Sequence, residues 1–139
     1  MTSDGKAFVF GGHHGKHPDQ PNLGTYARRV VETGRTERSE RLAAEAERIT
    51  RFLGDRGATL VVVFGSFARG ETGRWSDLDM IAVMESDLPF IARLGELYRG
   101  MVPTVGLDLL VYTPEEWEYM QHRSFVRRAL AEGKVLHAA

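Results

Sequence analysis

The sequence predicts an α+β domain of the α/β type, a small mixed sheet of three to four strands packed against helices. Three observations carry that expectation. Leu60 to Phe64 is a continuous apolar run of β-branched and aromatic residues, too short for a helix and suited to a strand buried on both faces. Two further strand-like runs follow, Asp77 to Met84 and Val105 to Tyr112. Between and around them, apolar residues recur at helical spacing.

A chain of 139 residues suits one domain, with little room for a second catalytic or substrate-binding unit. With 42% apolar and 27% charged residues, the composition is that of a globular protein rather than a disordered chain. A formal net charge of -1 supplies no global field for gathering nucleic acid or anionic membrane. The absence of cysteine excludes disulfide and thiolate chemistry. No basic segment with a long apolar core opens the chain, and no apolar run approaches membrane-spanning length, so a cytoplasmic location is expected.

Residues 1–35 are rich in Gly, His and Pro and read as an N-terminal extension, poorly ordered or partner-bound, ahead of a domain over 36–139. Ala7 to Phe10 could form an edge strand, and Thr25 to Thr33 a short helix closed by Gly34. His13, His14 and His17 invite a metal reading, but with no Cys and no evident fourth ligand the plain reading is an exposed loop.

From Glu37 to Leu53, Leu42, Ala46, Ile49 and Leu53 lie on one helical face, with Phe52 widening the stripe. Thr36 or Ser39 can cap the start and Gly54 or Gly57 the end, while Glu37 with Arg41 and Glu47 with Arg51 form i, i+4 pairs. Ser86-Asp87-Leu88-Pro89 marks a second helix start, followed by Phe90, Leu94, Leu97 and Met101 at helical spacing. Thr113-Pro114-Glu115-Glu116 is a capping box for a helix through Trp117 and Met120. Ser124 starts a further helix stopped at Gly133, and Lys134 to Leu136 can add a short strand.

The chemistry concentrates after the first strand. Gly65 allows a sharp turn and close approach of the backbone to a ligand, and Ser66 offers a hydroxyl and an N-H. If Ser66 opens a short helix, its free amides face a phosphate, with Arg69 and Arg74 as candidate cations for a triphosphate. Strand alternation sends Asp77 and Asp79 to one face, where their mutual repulsion calls for a metal such as Mg²⁺. Asp108 is a lone acid in an apolar strand, sharing a face with Leu110 and Tyr112, and can complete a two-metal arrangement or act as a base.

Gly65-Ser66, ten intervening residues, Asp77-Leu78-Asp79 and a later strand bearing Asp108 resemble the signature of the DNA polymerase beta type nucleotidyltransferase superfamily. With Phe67-Ala68-Arg69-Gly70 and Ser76 before Asp77, the chain most resembles the minimal single-domain MNT members, over Glu37 to Leu136. The resemblance implies a nucleotidyltransferase fold in which Gly65 and Ser66 hold the nucleotide phosphates. It implies that Asp77 and Asp79 bind both of two Mg²⁺ ions and that Asp108 binds the catalytic one. It implies transfer of AMP, from ATP, to a protein or small hydroxyl acceptor, in the manner of an antitoxin paired with a HEPN-type protein. A homodimer or heteromer would close so small a cleft. The alternative is a non-catalytic nucleotide-binding or partner-binding module of the same fold.

Overall fold

The computed structural model describes residues 23–73 and 77–139, with side chains from residue 37 onward. Its elements run α1 (Leu23–Asp55), β1 (Leu60–Phe64), α2 (Gly65–Ala68), β2 (Leu78–Val83), α3 (Phe90–Met101), β3 (Leu107–Tyr112), α4 (Pro114–Met120), α5 (Ser124–Glu132) and β4 (Lys134–Ala138). The strands form one sheet in the order β3-β2-β1-β4. β1 is antiparallel to both β2 and β4, whereas β2 and β3 are parallel, with α3 as the crossover that parallel pairing requires.

The central β1 is covered on both faces, as its unbroken apolar run predicts. Val61, Val63, Met80, Ala82, Leu109 and Val111 project to one face and pack against Leu42, Ala46, Ile49 and Leu53 of α1 and Leu97 and Met101 of α3. On the other face Phe64, Ile81, Leu110 and Tyr112 meet Trp117 and Met120 of α4 and Val126 and Ala129 of α5. Each strand therefore alternates between two cores, and the alternation fixes which acids share a face.

Several sequence expectations change. Instead of two helices divided near Gly34, with Thr36 or Ser39 capping the second, α1 is continuous from Leu23 to Asp55. A single Gly costs a helix interior about 1 kcal/mol, too little to stop one already nucleated by the buried stripe from Leu42 to Leu53. The stop is downstream, where Gly57 turns at φ +96° and the Ala58 amide donates to Leu53 O at 3.0 Å. Ser86 does not cap α3; its hydroxyl accepts from the Leu88 amide at 3.1 Å, and Pro89 occupies the cap position. The expected strand at Ala7 to Phe10 and the histidines at 13, 14 and 17 lie outside the described residues. The capping box of α4 forms as expected, with Thr113 Oγ1 accepting from Glu116 N at 3.2 Å and Glu116 Oε1 from Thr113 N at 2.9 Å.

Two ionic networks tie the layers together. In α1 the pair that matters is not on the exposed side of Glu37, Arg41, Glu47 and Arg51 but Glu45 with Arg48, bonded at 2.7 and 2.9 Å. Arg48 also donates to Met101 O at 3.0 Å at the end of α3, and Glu45 accepts from the Thr104 amide at 2.7 Å. Arg48, with the Thr104 amide, holds the buried Glu45 carboxyl down to about 2. The second network centres on buried Arg93, whose Nη1 donates to Val111 O at 2.7 Å and Glu116 Oε1 at 2.8 Å, and whose Nη2 donates to Leu88 O at 2.9 Å. Tyr98 donates its hydroxyl to Leu107 O at 2.6 Å. Arg93 and Tyr98 thus satisfy carbonyls along β3, a terminal strand that would otherwise expose them.

Removing Arg93 strands two carbonyls in low-dielectric surroundings. Arg93→Met is expected to lower the unfolding free energy by about 2–4 kcal/mol in urea titrations, with an unchanged m-value. Glu116→Gln, which leaves the bonds to Val111 and Leu88, should cost less than half as much. Equal losses would contradict this assignment.

Candidate active site

The site lies where β1 ends. Phe64 is the last strand residue, and Gly65, at φ +79°, turns the chain into α2. Phe67 and Ala68 are buried and pin this short turn to the core, so that Ser66 is presented beside the sheet. The Glu71 amide closes the turn on Ser66 O at 2.9 Å. Gly65 is required twice over. Its φ disfavours L side chains, and a Cβ would press on the Asp79 carboxylate, 3.0 Å from Cγ and closer still to Oδ2.

Strand register brings the acids together. Phe64 pairs with Asp79 across the antiparallel ladder, and Asp79 pairs with Asp108 across the parallel one. Asp77 lies two residues before Asp79 and so on the same face. All three share the face of Ile81, Leu110 and Tyr112, as alternation predicts. Asp77 and Asp108 are exposed, whereas Asp79 is half-buried between them.

That position has an electrostatic cost. Burial, then repulsion from and hydrogen bonding with Asp108, then the charge of Asp77, push the Asp79 carboxyl up to about 6, and among the described residues Arg69 opposes them. Burial and the charge of Asp108 likewise raise Tyr98, the residue that holds Leu107 O.

The cations are less simply arranged. Arg69 Nε donates to Glu71 at 3.1 Å and its Nη1 to Glu132 of α5 at 3.0 Å, so a phosphate would have to compete with two carboxylates. Arg74 lies outside the described residues. Sequence reasoning also missed Phe125, half-exposed on α5, whose ring meets that of Phe64 edge-on at 5.8 Å between centroids. It packs on the strand residue that pairs with Asp79.

The donor set is chemically coherent. Three carboxylates offer hard oxygen ligands, and the raised Asp79 shows surplus negative charge that a divalent cation would relieve. Among the described residues no group of three or more His, Cys, Asp or Glu side chains is placed to hold a metal ion by itself. An open site of this kind suits Mg²⁺, which takes one or two carboxylates and draws its remaining ligands from phosphate and water. Among the described residues no helix is long and apolar enough to cross a membrane.

Residues 44–136 match the family model of the nucleotidyltransferase domain. The fold is similar to that of a candidate nucleotidyltransferase from Sulfolobus solfataricus, with 19% identity over 73% of this chain and 85% of the other, at a TM-score of 0.53. It is similar to a toxin-antitoxin structure with AMP-PNP, with 25% identity over 68% of this chain and 73% of the other, at a TM-score of 0.50. A mutant of the toxin-antitoxin MntA-HpeT matches at 21% identity over 68% and 73% of the two chains, also at a TM-score of 0.50. No curated protein sequence matches the chain.

Because the folded state raises the Asp79 carboxyl above its ordinary 3.8, its stability contribution is full below that value and is lost as pH rises to about 6. In metal-free buffer, thermal melts should therefore show wild type losing on the order of 1–3 kcal/mol between pH 4 and 7 that Asp79→Asn keeps. Parallel losses would place the repulsion elsewhere. Gly65→Ala should destabilise by about 1–3 kcal/mol at any pH in the same melts, since its strain is steric.

Proposed function

The chain belongs to the nucleotidyltransferase domain family, and from that premise we propose that it transfers AMP from ATP to a hydroxyl acceptor, releasing pyrophosphate. The observation that carries this reading is the register that sets Asp79 opposite Asp108 and one residue pair from the Gly65-Ser66 turn. Carboxylates beside a backbone cradle are what a metal-bound triphosphate needs. In the proposed complex the Ser66 hydroxyl and nearby amides bind phosphate oxygens, with Arg69 and Arg74 as further cation candidates. Asp77, Asp79 and Asp108 would hold Mg²⁺, which supplies charge stabilisation for the phosphoryl oxygens when bound. The acceptor oxygen attacks the α-phosphorus in line, the bond to pyrophosphate breaks, and the acceptor proton passes to the Asp108 carboxylate.

The choice of ATP and of a protein acceptor is supported by one neighbour, the toxin-antitoxin structure with AMP-PNP. We therefore propose that the acceptor is a toxin of the HEPN type, which this chain silences by adenylylation in the cytoplasm as a partner or transient complex.

The test uses ATP labelled separately at the α- and γ-phosphates, Mg²⁺, and the protein product of the adjacent gene. The α-label should remain on the acceptor while the γ-label leaves. Asp77→Asn, Asp79→Asn and Asp108→Asn should each lower transfer by roughly 10²-fold or more, with binding of the partner retained. Transfer that persists in all three variants would overturn the reading. A partner neutralised equally well by them would identify a binding module instead.

A further inference from the structure

β3 begins one residue after Gly106, and the parallel ladder pairs Leu107 with Leu78, so Gly106 falls opposite Asp77. The Leu78 amide fixes this alignment by donating to Gly106 O at 2.9 Å. Two strands thus present a square of positions on one face: Asp77 and Asp79 on β2, Gly106 and Asp108 on β3. Three corners carry carboxylates and the fourth carries none.

The empty corner is in use. A Cβ on Gly106 would overlap the Asp77 carboxyl group, lying 2.5 Å from Cγ and closer still to Oδ1. Real Cβ atoms do not approach so near, so a side chain here must move either the strand or the carboxylate. The strand is held on both sides of the glycine. Upstream, the Thr104 amide is bound to buried Glu45 at 2.7 Å, and Glu45 is itself clamped by Arg48. Downstream, Tyr98 grips Leu107 O at 2.6 Å. Asp77, exposed and free to change rotamer, is what yields.

We propose that Gly106 is a positioning residue whose bare backbone seats the Asp77 carboxylate in its metal-binding orientation; the metal clause rests on the function proposed above. Gly106 does not have the positive φ that reserves Gly57, Gly65 and Gly70 for glycine, so its backbone accepts alanine. The requirement for glycine comes from its neighbour.

Four proteins test this: wild type, Gly106→Ala, Asp77→Ala and the double variant, with Gly95→Ala as a helix-surface control. Scalar couplings in labelled, metal-free protein report the Asp77 rotamer, and electron paramagnetic resonance with Mn²⁺ alone reports cation affinity. Gly106→Ala should shift the Asp77 rotamer and weaken Mn²⁺ binding by about tenfold. The double variant should bind no more weakly than Asp77→Ala and melt no lower than Gly106→Ala, because removing the carboxylate removes the clash. An unchanged Asp77 rotamer in Gly106→Ala, or additive losses in the double variant, would overturn the proposal. A wild type that binds no Mn²⁺ would refute the metal site while the couplings still decide the role of Gly106.

Discussion

Parallel pairing of β2 with β3 places Asp79 opposite Asp108, and much of the structure answers the repulsion that results. Two carboxylates in register at a sheet end would drift apart if either strand could slide. β2 is held between two partners, and β3, which has one among the described strands, is braced by side chains of α1 and α3. The braces are themselves charged or polar, and each is matched: Arg93 by Glu116 and two carbonyls, Glu45 by Arg48 and an amide. Networks of matched charge thus brace the strands that carry the carboxylates.

What the sequence made legible follows from locality. β1 has its expected bounds because an apolar β-branched run between a loop and a glycine has one sensible reading. The capping box of α4 and the glycine after α5 were equally local. The acids were nominated by alternation, and alternation is what the sheet imposes on them. Continuity through Gly34 was not legible, because the stripe that nucleates the helix lies beyond it. Arg93 is one charge among several on its helix in sequence, and nothing in its own neighbourhood announces the carbonyls it meets. Glu45 and Arg48 stand three apart, whereas the pairs at spacing four lie on the exposed side, and it is Glu45 and Arg48 that have the α3-β3 connection within reach. Gly106 carried no signal at all, since its meaning depends on register.

The two glycines against the acids differ in kind. Gly65 is demanded by its own backbone as well as by Asp79, so any substitution there fails on two counts. Gly106 is demanded only by what lies across the ladder. Small residues of this second sort serve the site by omission and are invisible to any reading based on conformation alone.

The two margins of the sheet are unlike. β3 has two of its outward carbonyls, those of Leu107 and Val111, taken up by Tyr98 and Arg93, whereas β4 is a short terminal strand with Val135 exposed. An extended segment seeking a ladder partner therefore finds two acceptors already spent on the side of Asp108. The opposite rim is β4, with β1 and β2 between that strand and the carboxylate of Asp108. A protein docked there would leave the mouth of the site open to a second molecule.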